Sequence, residues 1–548
     1  MSTAMHDEPS RVTPGPVPGL RGRPWLTLLA VAVGVMMVAL DSTIVAIANP
    51  AIQQDLHASL ADVQWITNGY LLALAVSLIT AGKLGDRFGH RQTFLTGVAG
   101  FAVTSAAIGL SDSVAAIVVF RVLQGLFGAL MQPSALGLLR VTFPPGKLNM
   151  AIGIWSGVVG ASTAAGPIIG GLLVQHVSWE AVFFINVPVG LAALACGVII
   201  LKDARAEHAP RSFDVPGVVL LSGAMFCLVW GLIKAPAWGW GDPWTLGFLA
   251  AAVLAFVVFA LRENRASEPL VPLAMFRSVP LSAGTVLMVL MAFSFIGGLF
   301  FVTFYLQNVH GMSPVESGVH LLPLTGMMIV GAPVSGAVIS RFGPRPPLVV
   351  GMLLTSASLW GMSTLKADSG MGITSLWFVL LGLGLAPVMV GTTDVIVSNA
   401  PAELAGVAGG LQQSAMQVGG SLGTAVLGVL MASRVSDVFP GQWAQAKLPR
   451  LGSKESATWE DAAKVGVVPS PKALPGQNAE TAANVVHSSF ISGMGLAFTV
   501  AAVVALVAAA VAVLTKKGEP AEAPLLATSS AESAQEGEPH RTSAAPNT

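Results

Sequence analysis

Apolar runs of about twenty residues recur along the whole chain, and no other feature restricts its folding as strongly. A helix of that length, at about 1.5 Å per residue, crosses the hydrocarbon core of a bilayer. Such runs stand at 25–48, 62–81, 93–110, 114–139, 149–174, 182–201, 214–234, 244–261, 280–306, 314–339, 347–365, 371–394, 404–432 and 488–514, fourteen in all. Lipid offers no partners to backbone polar groups, and runs this long satisfy them as helices. The expected fold is therefore an all-α polytopic membrane protein with fourteen transmembrane helices. Only 10% of the 548 residues are charged, against about 25% in soluble domains, which excludes a soluble protein. A formal net charge of zero implies no nucleic-acid partner. The first run is too long for a signal-peptide core and is expected to remain as an anchor.

Positively charged residues order the runs in the membrane. Arg11, Arg21, Arg23, Lys83, Arg87, Arg91, Arg140, Lys147, Lys202, Arg205, Arg211, Arg262, Arg265, Arg277, Arg341 and Arg345 fall in the N-terminal tail or in every second loop, while the opposite short loops hold Lys234 and Lys366. By the positive-inside rule both termini are cytoplasmic. An internal repeat, GKLGDRFGHR (82–91) and GAVISRFGPR (336–345), shares Gly, Arg, Phe, Gly and Arg in register, each copy following the second run of a six-run block. The expected organisation is a disordered tail (1–24), a six-helix bundle (25–201), a linker with an inserted two-helix hairpin (202–279), a second six-helix bundle (280–514) that includes a long extracellular loop (433–487), and a disordered tail (515–548). Cys196 and Cys227 lie inside runs and read as buried free thiols.

The fifth run contains GIWSGVVGASTAAGPIIGG (153–171), whose small residues recur at helical spacing and make strips for close backbone approach. Pro167 has no amide hydrogen, so the carbonyl of Thr163 loses its helical partner and a bend is expected. Asp41 in LDSTIVAIANP (40–50) is a carboxylate inside a span, which is costly unless protonated or paired. Arg121 in RVLQGLFGA (121–129) is a basic residue deep in a span. Counted along their helices, both stand about 12 Å from the outer surface, so they could meet. An arginine beside a carboxylate favours its charged form, and displacing it favours proton uptake.

These segments resemble motifs of the major facilitator superfamily, in its branch of fourteen-span drug:proton antiporters, over almost all of residues 25–514. Gly153, Ser162, Gly166, Pro167, Gly170 and Gly171 match the antiporter motif, with Ser162 in place of a glycine. Gly82, Leu84, Asp86, Arg87, Gly89 and Arg91 match the signature loop between helices two and three, which would latch the cytoplasmic side; Ser340 replaces the acid in the second copy. Asp41, Thr43 and Pro50 match the first-helix motif, with Ala46 and Asn49 departing from it. Arg121, Gln124, Gly125, Gly128 and Ala129 match the fourth-helix motif. SWEAVFFINVPVG (178–190) resembles the approach to helix six, with Glu180 for a usual arginine, and reads as packing.

The resemblance implies a proton-driven exporter working by alternating access, with Asp41 and Arg121 in proton coupling and Gly82, Asp86, Arg87, Gly89 and Arg91 as the cytoplasmic gate. It also implies a substrate cavity between the halves, to which Gln124, Met288, Met291, Phe295, Tyr305, Trp377, Met389, Gln413 and Gln417 are assigned. The expected partners are a lipophilic small molecule, protons and the bilayer, around a monomer in the cytoplasmic membrane. Ser313 and Glu316 form a capping box opening the tenth run, so Glu316 is expected to cap rather than bind. The chain carries no HExxH, Walker loop, nucleophile–base set or metal-spaced His/Cys cluster, so no enzyme activity and no cofactor or metal is expected. Transport of another solute or of a lipid, and a non-transporting sensor, stay open.

Overall fold

The computed structural model describes residues 21–58, 60–202, 214–266, 269–469 and 477–516. Among these every regular element is a helix. The first half holds α1 (Pro24–Asp55), α2 (Leu60–Phe88), α3 (His90–Gly109), α4 (Val114–Thr142), α5 (Pro145–His176), the short α6 (Ala181–Phe184) and α7 (Asn186–Ile200). The pair α8 (Val215–Trp238) and α9 (Pro243–Glu263) follows. The second half holds α10 (Val279–Phe304), prolonged by a π-turn at Tyr305–Val309, then α11 (Pro314–His320), α12 (Leu322–Phe342), α13 (Arg345–Met362) and α14 (Met371–Ser398). It closes with α15 (Ala405–Gln445), α16 (Ser453–Ala463) and α17 (Gln477–Ala512).

Thirteen described helices are long and apolar enough to cross a membrane. The run at 347–365 is the exception: it forms α13, whose hydroxyls at Thr355, Ser356 and Ser358 are bonded to carbonyls of α13, α17 and α14 respectively. The helix is only 18 residues long and starts with Arg345, Pro346 and Pro347, which lower its mean hydropathy.

The two halves are assembled alike. In the first, α1 packs on α5 and α7, α2 on α4, and α3 on α4 and α7. In the second, α10 packs on α15 and α17, α12 on α14, and α13 on α14 and α17. The halves meet reciprocally, α2 against α15 and α5 against α12, as a twofold relation between two copies of one bundle demands. The helix α8 packs on α9 and touches both α2 and α15.

Residues 433–487, expected as a loop, are in large part helical. Val435, Phe439 and Trp443 fall four residues apart and carry α15 onward as an amphipathic helix. With Leu448, Trp459, Ala463, Ala482, Val485 and Val486 they build a separate apolar cluster, in which Trp443 and Trp459 approach to 5.2 Å between ring centroids. Charged residues on the outer faces hid this core from the span count.

Candidate functional site

Glycines set how closely the halves meet at the end of the molecule that carries the arginine-rich loops, here the basic end. A Cβ at Gly82 would fall inside the carbonyl of Gly406, so α2 and α15 touch backbone to backbone there. In the reciprocal contact, a Cβ at Gly336 would lie 2.5 Å from the carbonyl oxygen of Asn149, and one at Gly153 would lie 2.5 Å from that of Ala332. Gly82 and Gly336 are the first glycines of the two repeat copies, so the repeat encodes the crossing. The second shared glycines, Gly89 and Gly343, have φ of 98° and 80°, a left-handed turn that other residues rarely adopt.

Asp86 completes the contact. Its carboxylate accepts the amides of Gly406 at 2.7 Å and Val407 at 3.0 Å, in the first turn of α15, where the helix dipole favours a negative charge. His90 Nε2 lies 3.4 Å from the same carboxylate. Arg140, at the end of α4, donates to the carbonyls of Ala400 at 2.6 Å and Pro401 at 3.3 Å, just past the end of α14, where the dipole favours a cation. The turn joining α14 to α15 is thus held at one end by an acid and at the other by a base. In the second copy Ser340 bonds the carbonyl of Gly336 in its own helix, so the latch is asymmetric. Lys83 donates to the carbonyl of Pro269 at 2.9 Å and Arg91 to that of Val198 at 3.2 Å, while Arg87 lies over the ring of Phe88.

Asp41 and Arg121 do meet, 2.5 Å apart and 0% and 1% exposed. Arg121 also donates to Gln124 Oε1 at 2.8 Å and to the carbonyl of Ile66 at 3.1 Å, and its guanidinium lies 4.1 Å from the centroid of the Tyr70 ring. The other carboxylate oxygen of Asp41 accepts from Gln124 at 3.2 Å and Asn186 at 3.1 Å. Asn186 also donates to Ser105, which donates to the carbonyl of Phe183. Five helices (α1, α2, α3, α4 and α7) converge on this pair. A buried ion pair is tolerated when its remaining lone pairs and protons are satisfied in this way.

The glycine-rich strip of α5 serves two partners. Gly153 faces α12, whereas a Cβ at Gly166 would run into Thr43, and one at Gly170 would lie 2.8 Å from Ile44, both on α1. The carbonyl of Thr163, left free by Pro167, accepts the hydroxyl of Thr43 at 3.1 Å. Ser162 bonds its own helix at Val158, and Gly171 lies near Val315.

Several residues assigned to the cavity do other things. Gln124 is fully buried in the ion-pair network. Tyr305, in the π-turn, donates its hydroxyl to the carbonyl of Lys366 at 2.7 Å. Trp377 covers Gly361 of α13 and so faces within its own half. Met288 and Met291 are buried on α10, with the sulfur of Met288 near Thr392 of α14 and Gln412 of α15. Gln413 is buried, and Phe295, Met389 and Gln417 are half-buried. The capping box stands: Ser313 and Glu316 exchange bonds of 2.8 and 3.2 Å. Sequence reading missed the roles of Asn186, taken as packing, and of Arg140, taken only as a topological charge.

Twin six-helix bundles with a buried carboxylate–arginine pair and an interlocked end define a multi-pass membrane protein built of two like halves. Residues 31–424 match the Major Facilitator Superfamily, and the chain belongs to that family. It is 88% identical over 522 residues, 95% of this chain and 97% of the relative, to the tetracenomycin C resistance and export protein of Streptomyces glaucescens. It is 32% identical over 514 residues, 93% of this chain and 99% of the relative, to the multidrug efflux pump LfrA of Mycolicibacterium smegmatis. The human organic anion transporter MFSD10 shares the fold with a TM-score of 0.57 at 13% identity, covering 90% of this chain and all of that one.

Proposed function

We propose that the chain is a drug:proton antiporter of the cytoplasmic membrane, a monomer with fourteen spans and both termini inside, which exports tetracenomycin C or a related lipophilic antibiotic and so confers resistance. In this reading α13 is the fourteenth span, α8–α9 is an insertion between the repeats, and the basic end is cytoplasmic by the positive-inside rule. The interlocked basic end then makes this the outward-facing conformer of an alternating-access cycle. The substrate assignment rests on the relative at 88% identity.

The observation that carries the mechanism is the buried Asp41–Arg121 pair with its bonds to Gln124 and Asn186. Protonating Asp41 removes the charge that holds Arg121, leaving the guanidinium to Ile66 and Gln124 and freeing α1 to move against α4. Two connections lead from there to the interface. Thr43, two residues after Asp41, is bonded to α5, and α5 packs on α12. Arg121 shares α4 with Arg140, about 28 Å further along the helix, and Arg140 grips the α14–α15 turn. One proton entering down 100 mV contributes about 2.3 kcal/mol, enough for roughly a fiftyfold gradient of a neutral substrate.

The test is proton release from acid-loaded inverted vesicles carrying the native protein or Asp41→Asn, challenged with tetracenomycin C and a panel of lipophilic antibiotics. Compound-triggered release that the substitution abolishes, at equal expression, is the expected result. Silence with every compound would sink the export reading, and equal release from both proteins would move the proton site away from Asp41.

A further inference from the structure

The outer face of α9 turns from apolar to basic at its end, where Val258, Leu261, Arg262 and Arg265 fall at the i, i+3, i+4 and i+7 spacing of one helix stripe. Together with Leu220 of α8 and Ala266 they line a cavity of about 580 Å³. It lies at the end of α9 that carries Arg262 and Arg265. Arg262 spends its Nε and Nη2 on Asp214 Oδ1, at 3.2 and 2.6 Å, yet its side chain is 41% exposed and three of its five N–H donors remain unused by that contact. Arg265 is exposed and its side chain bonds to none of the described residues. The cavity therefore joins an apolar lining of Leu220, Val258 and Leu261 to two guanidinium groups.

We propose that this cavity is a binding site for an anionic phospholipid, whose headgroup phosphate takes Arg265 and the free edge of Arg262 while an acyl chain lies along Leu220, Val258 and Leu261. Guanidinium groups bind phosphate through paired N–H donors, and basic pockets between membrane helices select anionic headgroups over zwitterionic ones. The site touches the gate by a short route. Glu263, next to Arg262, accepts the amide of Val271 at 2.9 Å, and the neighbouring carbonyl of Pro269 accepts Lys83 of the signature loop. A bound lipid orders the turn from which this strap begins. The inference is independent of the substrate and of proton coupling.

The experiment is native mass spectrometry of the purified full-length protein after exchange with equal amounts of phosphatidylglycerol and phosphatidylcholine, for the native protein, Arg265→Gln and the control Arg345→Gln, an exposed basic-end arginine on α13. The native protein and the control are expected to retain phosphatidylglycerol preferentially, and Arg265→Gln to lose about fivefold of that retention, the share of one interfacial arginine. Arg265→Gln retaining as much as the native protein, equal retention of both lipids by the native protein, or an equal loss in the control would overturn the site. So would displacement of the lipid by inorganic phosphate in the native protein, which would assign a soluble-anion site instead. Should Arg265→Gln fail to fold, Ala266→Leu, which fills the cavity, is read in its place with the same expected loss.

Discussion

Replacing Asp86 with asparagine should open the basic end. The carboxylate accepts two buried amides from the start of α15, at 2.7 and 3.0 Å, and hydrogen bonds to a charged group contribute about 1.5–3 kcal/mol each. Asparagine keeps one acceptor oxygen but turns an NH2 toward the second amide, so one bond is lost outright and the other loses its charge. When the halves part, both amides can find water, which offsets some of the gain. A net loss of about 3 kcal/mol for the closed conformer follows, roughly a hundredfold in the closed-to-open ratio. A population near 99:1 in favour of closure would then fall to about 1:1. The two cysteines are free, so a background with Cys196→Ser and Cys227→Ser can carry spin labels at Lys147 and Arg345, exposed positions on the basic ends of α5 and α13. Pulsed electron paramagnetic resonance should show a long-distance population in Asp86→Asn that is minor in the native protein. A folded variant with an unchanged distance distribution would refute the claim that these bonds set the equilibrium.

Gly82→Ala and Gly336→Ala should each wedge the same end apart and reduce efflux in resistant cells, because either Cβ meets a backbone carbonyl of the other half; Gly428→Ala, with open space at its Cβ, should leave efflux unchanged and raise thermal stability. Asn186→Leu should lower the melting temperature and slow proton release, since it removes one donor to Asp41 and one to Ser105, a loss of about 1–3 kcal/mol; a variant as stable and active as the native protein would show the amide to be mere packing. The Ser313 amide and hydroxyl hold the Glu316 carboxyl below its ordinary 4.5. This depressed group caps α11 fully above its ordinary value and loses the cap only as pH falls through the lowered one, so carboxyl NMR should find it ionised throughout pH 5–8.

How much was legible follows from whether a signal lies along one helix or between helices. Hydropathy marks spans because lipid acts on each helix separately, and the depth count placed Asp41 opposite Arg121 because both helices cross the same slab. The free carbonyl of Thr163 was legible from Pro167 alone, although its donor, Thr43, was not. Asn186 was missed because its meaning depends on α7 packing beside α1, and Arg140 because its acceptors lie in the other half, 260 residues away. Tyr305 and Trp377 were assigned to the cavity on helix number alone; their rotation about the helix axis, fixed by α13 and by the π-turn, turns them into their own half. The extension of α15 beyond its span was obscured because its stripe of Val435, Phe439 and Trp443 is diluted by polar residues on the opposite face.

The two halves share a way of packing but not a way of responding. Each contributes the same glycine crossing, through Gly82 or Gly336, and the same left-handed turn, through Gly89 or Gly343. Only the first half carries Asp41 with Arg121, and only the first carries the acid of the latch, since Ser340 stands in its place in the second and bonds its own helix. The symmetric elements make the halves fit in one register at the basic end; the asymmetric ones are charged contacts made by the first half. Every described bond of the Asp41 network is internal to the first half, and Asp86 and Arg140 of that half hold the α14–α15 turn. On the proposed mechanism a change of charge at Asp41 reaches the second half through helices of the first: along α1 to α5, along α4 to Arg140, and through α2, which Arg121 holds at Ile66 and which packs on α15.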